Sequence, residues 1–530
     1  MSDKDGISTH AYKRGLKHSS VMAACTLIRS ILAFVPIVLI AKKIGLGNIT
    51  DAYLMAYSIN QIILKFLRVG TLPKIFTMVL SKDFMGNRKK TEENINNLFN
   101  IFLIFSLLAM ACVYFLAPLL VNIIAKGFDP LKKAMTINII RLLAPLFFYQ
   151  IIMSLCDSIF KLSSEFSRWA VLSVVLPLII FLFVVFSISK LGIYSMIYGT
   201  LTGCFVHILL LIYHIRFKFN YSYRFILNLK DKMVREIPVL LYPYYLSSLP
   251  VQFMLGLQSF LVSLLAPGVA SVYFYVLRIQ DYFDEYTINI FSEITFPYFM
   301  KKMASSSLDT IRKVYAQLIC FTNFAFLPAL IILVIFGNQI TYILFRSKFT
   351  DPGIISLLGS SFSYIMLFYL PEPSGNMQFS VILAMKKTGW VNIVNVLRMA
   401  VVIILSLILF KYFKFWGVIF SYSLTYLQSF LTNQWYLRKK YGFENIFSNF
   451  RFLKILFLNA FLALFCFYFK FQIVNNFNQQ GVFQNILVII IACFTSIVFY
   501  ALTSYLFKCE ELKILLSLIR KDKITYVYSG

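Results

Sequence analysis

The chain has 530 residues, 59% of them hydrophobic, a formal net charge of +28 and a mean hydropathy of +0.77. Apolar blocks run from end to end, which excludes a soluble globular enzyme and implies an all-α, polytopic membrane protein. In a soluble protein that charge would suggest nucleic acid; here Lys and Arg gather in short connections between apolar blocks, as the positive-inside rule requires, and no nucleic-acid partner is expected.

Residues 1–20 are polar and basic, and the apolar run after them has no small-residue cleavage site, so residues 21–41 are read as a retained first span. Hydropathy predicts fourteen spans, near 21–41, 51–80, 97–124, 135–160, 169–189, 194–215, 236–263, 269–300, 314–336, 353–385, 390–410, 416–437, 455–469 and 485–507. An even number places both termini on one side. With the N-terminus inside, inner segments carry 32 Lys and Arg and outer loops 11, so both termini are expected to be cytoplasmic. Seven basic residues remain within spans: Arg29, Lys65, Arg68, Lys74, Arg141, Arg278 and Arg398. Eight Cys sit singly with no C-x-x-C spacing and read as small apolar residues, so neither a disulfide nor a metal is expected.

The chain repeats itself. Ala52–Ile59 (AYLMAYSI) matches Val272–Ile279 (VYFYVLRI) at an offset of 220; Val121–Phe128 lies over Tyr342–Phe349, and Trp169 over Trp390, both at 221. A repeat of six helices preserves orientation, which predicts an N-lobe of spans 1–6 (21–215), an inter-lobe linker at 216–235 and a C-lobe of spans 7–12 (236–437), related by an axis along the membrane normal. Spans 13 and 14 (438–507) are an appendage, followed by a tail at 508–530.

Charges inside spans mark candidate functional residues, because one facing lipid at mid-bilayer costs ~2.5–3.5 kcal/mol. In the second span Lys65 and Arg68, at i and i+3, are expected on one helix face; with Arg29 and Arg278 they would attract a strongly anionic group such as a diphosphate, which arginines hold through paired hydrogen bonds. The alternative for Lys65 and Arg68 is snorkelling to an interface. In the eighth span Asp281, Glu285 and Glu293 fall within roughly 60° of Arg278, with Asp284 to the side. Asp281, Asp284 and Glu285 lie within one turn and are candidates for coupling to a proton or sodium ion. The alternative is a structural Arg278–Asp281 pair. No phosphate-binding loop of the G-x-x-x-x-G-K-[ST] type is present, and no connection is long enough for a soluble catalytic domain, which weighs against a membrane glycosyltransferase or polysaccharide polymerase.

Several segments, in order, resemble the lipid II flippases of the MurJ/MviN group within the multidrug, oligosaccharidyl-lipid and polysaccharide exporter superfamily. These are Gly45–Ala56 (GLGNITDAYLMA), Val69–Leu80 (VGTLPKIFTMVL), Arg141–Tyr149 (RLLAPLFFY), Ser271–Arg278 and Leu344–Asp351 (LFRSKFTD). The resemblance implies a monomeric, cofactor-free flippase of the bacterial cytoplasmic (inner) membrane. It would move a polyprenyl-diphosphate-linked saccharide from the inner to the outer leaflet by alternating access. By position Arg29 matches the family's first-span arginine, Asp51 the acid of its D-A-F motif (here a structural or gating candidate), Lys65 a basic second-span site and Arg278 the arginine of its eighth-span A-D-R. Val35–Pro36, Leu64, Val69 and Val276–Leu277 stand where the family has charged residues or that A-D, so the cargo is lipid II or another polyprenyl-diphosphate glycan. An ion-coupled multidrug or organic-cation antiporter is the competing transporter reading.

The topology has a direct test. Cysteines introduced at Pro267 and Gln479 should react with an impermeant thiol reagent added outside intact cells, whereas one at Asn87 should react only after lysis; the opposite pattern would invert the orientation.

Overall fold

The computed structural model describes the chain except for residues 1–3, 68, 85–87, 219–220, 285–306, 478–481 and 521–530, and its regular elements are all helical. Hydrocarbon offers backbone groups no water, so helices, which bond their own N–H and C=O groups, are the expected outcome. In chain order they are α1 (Lys4–Ile44), α2 (Asn48–Phe66), α3 (Leu72–Phe84), α4 (Arg88–Ile124), α5 (Pro130–Leu143), α6 (Pro145–Leu162), α7 (Phe166–Ser173), α8 (Val175–Leu191), α9 (Tyr194–Lys218), α10 (Lys232–Ser263) and α11 (Val269–Phe283). After the undescribed stretch come α12 (Leu308–Phe345), α13 (Pro352–Tyr369), α14 (Glu372–Ala384), α15 (Thr388–Phe413), α16 (Phe415–Tyr441), α17 (Phe450–Phe477), α18 (Val482–Leu506) and α19 (Glu510–Arg520).

Among the described residues, eleven stretches are long and apolar enough to cross a bilayer, and each coincides with one of the fourteen expected spans. The other three differ for separate reasons. The expected span at 51–80 is not one helix: α2 stops at Phe66, a short 3-10 turn covers Val69–Thr71 and α3 begins at Leu72. Pro73 lacks the N–H that a continuing helix needs and is tolerated only in a first turn, and Gly70 beside it gives the chain freedom to bend. Lys65 falls in the last turn of α2, and Arg68, expected on the same face, lies outside the described residues. The eighth span is described only as far as Asp284. The twelfth, α16, is one long helix whose average hydropathy is lowered by Ser421, Ser423, Thr425, Ser429, Asn433 and Gln434, all buried.

Many large apolar side chains face outward, while a number of polar ones are buried beside the apolar core. Phe186 is 81% exposed and Phe494 67%, whereas Ser421 and Gln378 are fully buried. Such a surface is incompatible with water and suits lipid.

By internal contacts the chain forms two compact units, Met1–Phe274 with Ser347–Thr350, and Tyr275–Arg346 with Asp351–Gly530. In the first, α1 packs on α7 and α8, α2 on α5 and α10, α4 on α5 and α6, and α8 on α9. In the second, α12 packs on α13, α14, α17 and α18, and α15 on α16. The sequence repeat is a repeat of elements. Helices starting at Arg88, Pro130, Phe166 and Tyr194 recur at Leu308, Pro352, Thr388 and Phe415, offsets of 220, 222, 222 and 221.

The connection after α9 is held along α4 by three buried asparagines. The Asn97 amide group donates to Asn228 O at 3.0 Å and its carbonyl accepts from Asn228 N at 2.7 Å. Asn96 accepts from Arg224 N at 3.0 Å, and Asn100 donates to Ile226 O at 2.9 Å. The Tyr221 and Tyr223 hydroxyls close the array on Asn96 and Asn100, each at 2.7 Å. An extended segment with no strand beside it has its main-chain groups satisfied by a helix face instead. Replacing Asn97 by Leu should leave the Asn228 N–H unpaired, at about 1–3 kcal/mol, and its carbonyl with only the long 3.5 Å contact from Asp231 N. Limited trypsin digestion of inside-out vesicles would then cleave at Arg224 and Lys230 faster than in wild type; unchanged cleavage would show that the array does not hold the segment.

Candidate functional site

The most completely bonded buried charge among the described residues is Asp51, in the first turn of α2 and 1% exposed. Its carboxylate accepts from Gly268 N at 2.8 Å, Ser271 N at 2.7 Å and Ser271 Oγ at 2.5 Å, and from Lys132 Nζ at 3.3 Å. Gly268 and Ser271 bracket the start of α11, so the acid sits at a helix N-terminus, where free N–H groups and the helix dipole favour an anion. Gly268 has φ +87°, in the left-handed region that glycine enters without penalty, and this brings its N–H onto the acid. Lys132 is 4% exposed, and its ammonium also lies 4.6 Å from the Phe128 ring centroid. Asp129 caps the start of α5 by accepting from Lys132 N at 2.8 Å, and Pro130 occupies the first helical position, so Lys132 enters on a well-fixed first turn.

Ser271 lies 220 residues after Asp51, the offset of the repeat, so equivalent positions of the two repeats meet here. Neighbouring seams bring together other inter-helix segments: Leu46 N donates to Thr350 Oγ1 at 2.8 Å, and Ser347 Oγ to Lys42 O at 2.8 Å. At Gly45, with φ +86°, an added Cβ would come within 2.7 Å of Phe349 O, so only glycine fits.

The remaining candidates are placed as follows. Arg29 in α1 is half-buried and Lys65, in the last turn of α2, is exposed. Arg278 is half-buried, two turns after Ser271, and Asp281 is exposed. Asp284 is half-buried and accepts from the Tyr369 hydroxyl at 2.6 Å. Glu285 and Glu293, like Arg68, lie outside the described residues. Around Asp284 the second unit is rich in hydroxyls and amides. The Tyr369 and Tyr426 rings meet edge to face at 4.9 Å, Tyr426 donates to Tyr422 at 3.1 Å, and Gln280 donates to Tyr426. Glu372, at the start of α14, is within electrostatic range of Arg398 and Asp284, and Arg398 donates to Ser429 Oγ at 2.8 Å. The same unit holds an apolar cavity of about 410 Å³, lined by Leu327, Ile331, Leu367, Leu427 and Phe452, with Asn459 among few polar residues.

The model of the lipid II flippase MurJ family matches residues 40–505. The chain belongs to the MurJ family. A probable lipid II flippase MurJ from Buchnera aphidicola subsp. Baizongia pistaciae is 23% identical over 505 residues, covering 91% of this chain and 94% of that one. Another from Buchnera aphidicola subsp. Acyrthosiphon pisum is 25% identical over 355 residues, covering 64% and 68%. The fold is similar to that of a lipid II flippase MurJ in an inward closed conformation, with TM-score 0.70, 18% identity and coverage of 91% and 98%. It is also similar to an inward-facing multidrug resistance MATE family transporter of the MOP superfamily, with TM-score 0.67, 15% identity and coverage of 78% and 94%.

In this MurJ-family chain two charged residues of the site escaped the sequence reading. Lys132 stands at the edge of a span beside Lys133, where basic residues are ordinarily interfacial. Glu372 carried a usable signal, an acid between Pro371 and Pro373 within a long apolar run.

Asp51→Asn should strand the buried Lys132 ammonium, at roughly 3–5 kcal/mol. In thermal unfolding of the purified protein, Asp51→Asn combined with Lys132→Met should be less destabilised than Asp51→Asn alone; additive losses would show that the pair is not coupled.

Proposed function

We propose that this MurJ-family chain is a transporter, not an enzyme, and carries a polyprenyl-diphosphate-linked saccharide, lipid II or a close relative, across the bacterial cytoplasmic membrane by alternating access. Membership of the family supports a lipid-linked precursor as cargo. The observation that carries the mechanism is the Asp51 joint. A fully buried carboxylate fastens the second span to the first turn of the eighth, and Arg278 follows two turns later on the same helix. In this reading Arg29, Lys65, Arg68 and Arg278 engage the diphosphate, and the apolar cavity of the second unit takes part of the polyprenyl chain.

Asp51 serves as a gate. Its bonds to Gly268 and Ser271 hold one side shut, and releasing them, with Lys132 remaining as counter-charge, opens it. On the basic-residue count that side is the outer one and both termini are cytoplasmic; spans 1–6 and 7–12 act as the two lobes of one monomer. Asp281, Asp284 and Glu285 are the proposed link to a proton or sodium gradient, with Tyr369 holding Asp284 between events. The Asp284–Glu372 acidic region also supports a second reading, export of organic cations.

Flipping of a fluorescent lipid II analogue in proteoliposomes separates the readings. Wild type should flip it, Arg29→Ala and Arg278→Ala should each lose most activity while expressing normally, and Lys at either position should restore part of it, since an ammonium lacks paired bonding. Full activity of both Ala variants would end the diphosphate assignment, and transport of an organic cation with no flipping would favour the antiporter. Under imposed pH, sodium and voltage gradients, Asp281→Asn, Asp284→Asn and Glu285→Gln should change the gradient dependence; if all three keep it, coupling lies elsewhere.

A further inference from the structure

Four membrane helices contain internal prolines, α1 and α10 as well as α4 and α12; in the last two they are Pro118 and Pro328. Proline has no N–H, so the carbonyls four residues earlier, those of Tyr114 and Phe324, lose their intrahelical donor. Within hydrocarbon only protein can replace it. In both places a side chain from a neighbouring helix does so. Arg141 Nε on α5 donates to Tyr114 O at 3.3 Å, and its guanidinium carbon lies 5.1 Å from the Tyr114 ring centroid. The Tyr500 hydroxyl on α18 donates to Phe324 O at 3.3 Å, with the two rings 5.3 Å apart.

α4 and α12 are equivalent helices, starting 220 residues apart, but the two prolines are 210 apart and the donors differ in residue type and in helix. The arrangement is therefore not one feature copied by the repeat; the same chemical vacancy is filled twice by different means.

We propose that Arg141 and Tyr500 are positioning residues that splint the proline interruptions of the third and ninth spans. Arg141 then belongs to the helix scaffold and not to the cargo-binding cations, since its charge is met by the released carbonyl and an aromatic face. The appended fourteenth span gains a role as well: it supplies the donor that fixes the ninth.

Full-length protein purified in detergent provides the test. Arg141→Met and Tyr500→Phe should each lower the unfolding midpoint by about 2 °C. Combined with the matching Pro118→Ala or Pro328→Ala, the loss should shrink by at least half, because alanine returns an N–H to the carbonyl. Mismatched combinations, such as Arg141→Met with Pro328→Ala, should keep the full loss. Equal losses in matched and mismatched backgrounds would overturn the proposal. Arg141→Met should also slow flipping of the lipid II analogue, and Pro118→Ala should restore it; failure to restore it, with the matched thermal rescue intact, would place Arg141 among the cargo contacts instead. The thermal arm is independent of any transport reading, so its failure and that of the proposed function are distinguishable.

Discussion

A bilayer supplies no hydrogen bonds, and this constraint organises the molecule at every level. It makes the chain helical, lets many large apolar side chains face outward and drives serine, asparagine and glutamine into the helix seams, as in α16. At Pro118 and Pro328, where proline breaks the internal ladder of a helix, a neighbour's side chain takes up the carbonyl. The buried charge of Asp51 is met by a set of four donors, two on each carboxylate oxygen.

In the proposed gating role of Asp51, a strong contact suits a moving protein. A buried ion pair adds little net stability over an apolar pair of similar size, since desolvating both charges offsets most of their attraction. Breaking it without replacement is costly, so the arrangement has two sharp states and few intermediates. Three of the four donors, two backbone N–H groups and the Ser271 hydroxyl, lie at the start of α11. Lys132, on α5, is not tied to that helix and keeps the carboxylate accompanied.

Much of the fold was legible in the sequence because hydropathy reads lipid burial directly. Eleven of the fourteen spans reappear as long apolar helices, and the offset near 220 reappears in helix starts. The end of α2 at Phe66, within the expected second span, was visible in Gly70 and Pro73 but was outweighed by apolar residues on both sides. The site was less legible. Asp51 was found through family likeness, but its partners come from positions 81, 217 and 220 residues away, and no local pattern encodes such distances. Lys132 looked interfacial because hydropathy does not distinguish a lysine at the membrane edge from one turned inward. Arg141 was noted only as an intramembrane charge; counting back four residues from Pro118 would have named the carbonyl in need of a donor, but not the residue that supplies it.

The asparagine array along α4 bears on how the chain tolerates change. Asn96, Asn97 and Asn100 bond mostly to main-chain atoms of residues 222–228, so they recognise the path of that segment and very little of its side-chain identity. Substitutions in the connection are thus largely silent, whereas a one-residue insertion or deletion would put every downstream carbonyl out of step with its asparagine. The junction between the repeats is free to drift in composition and closely held in length.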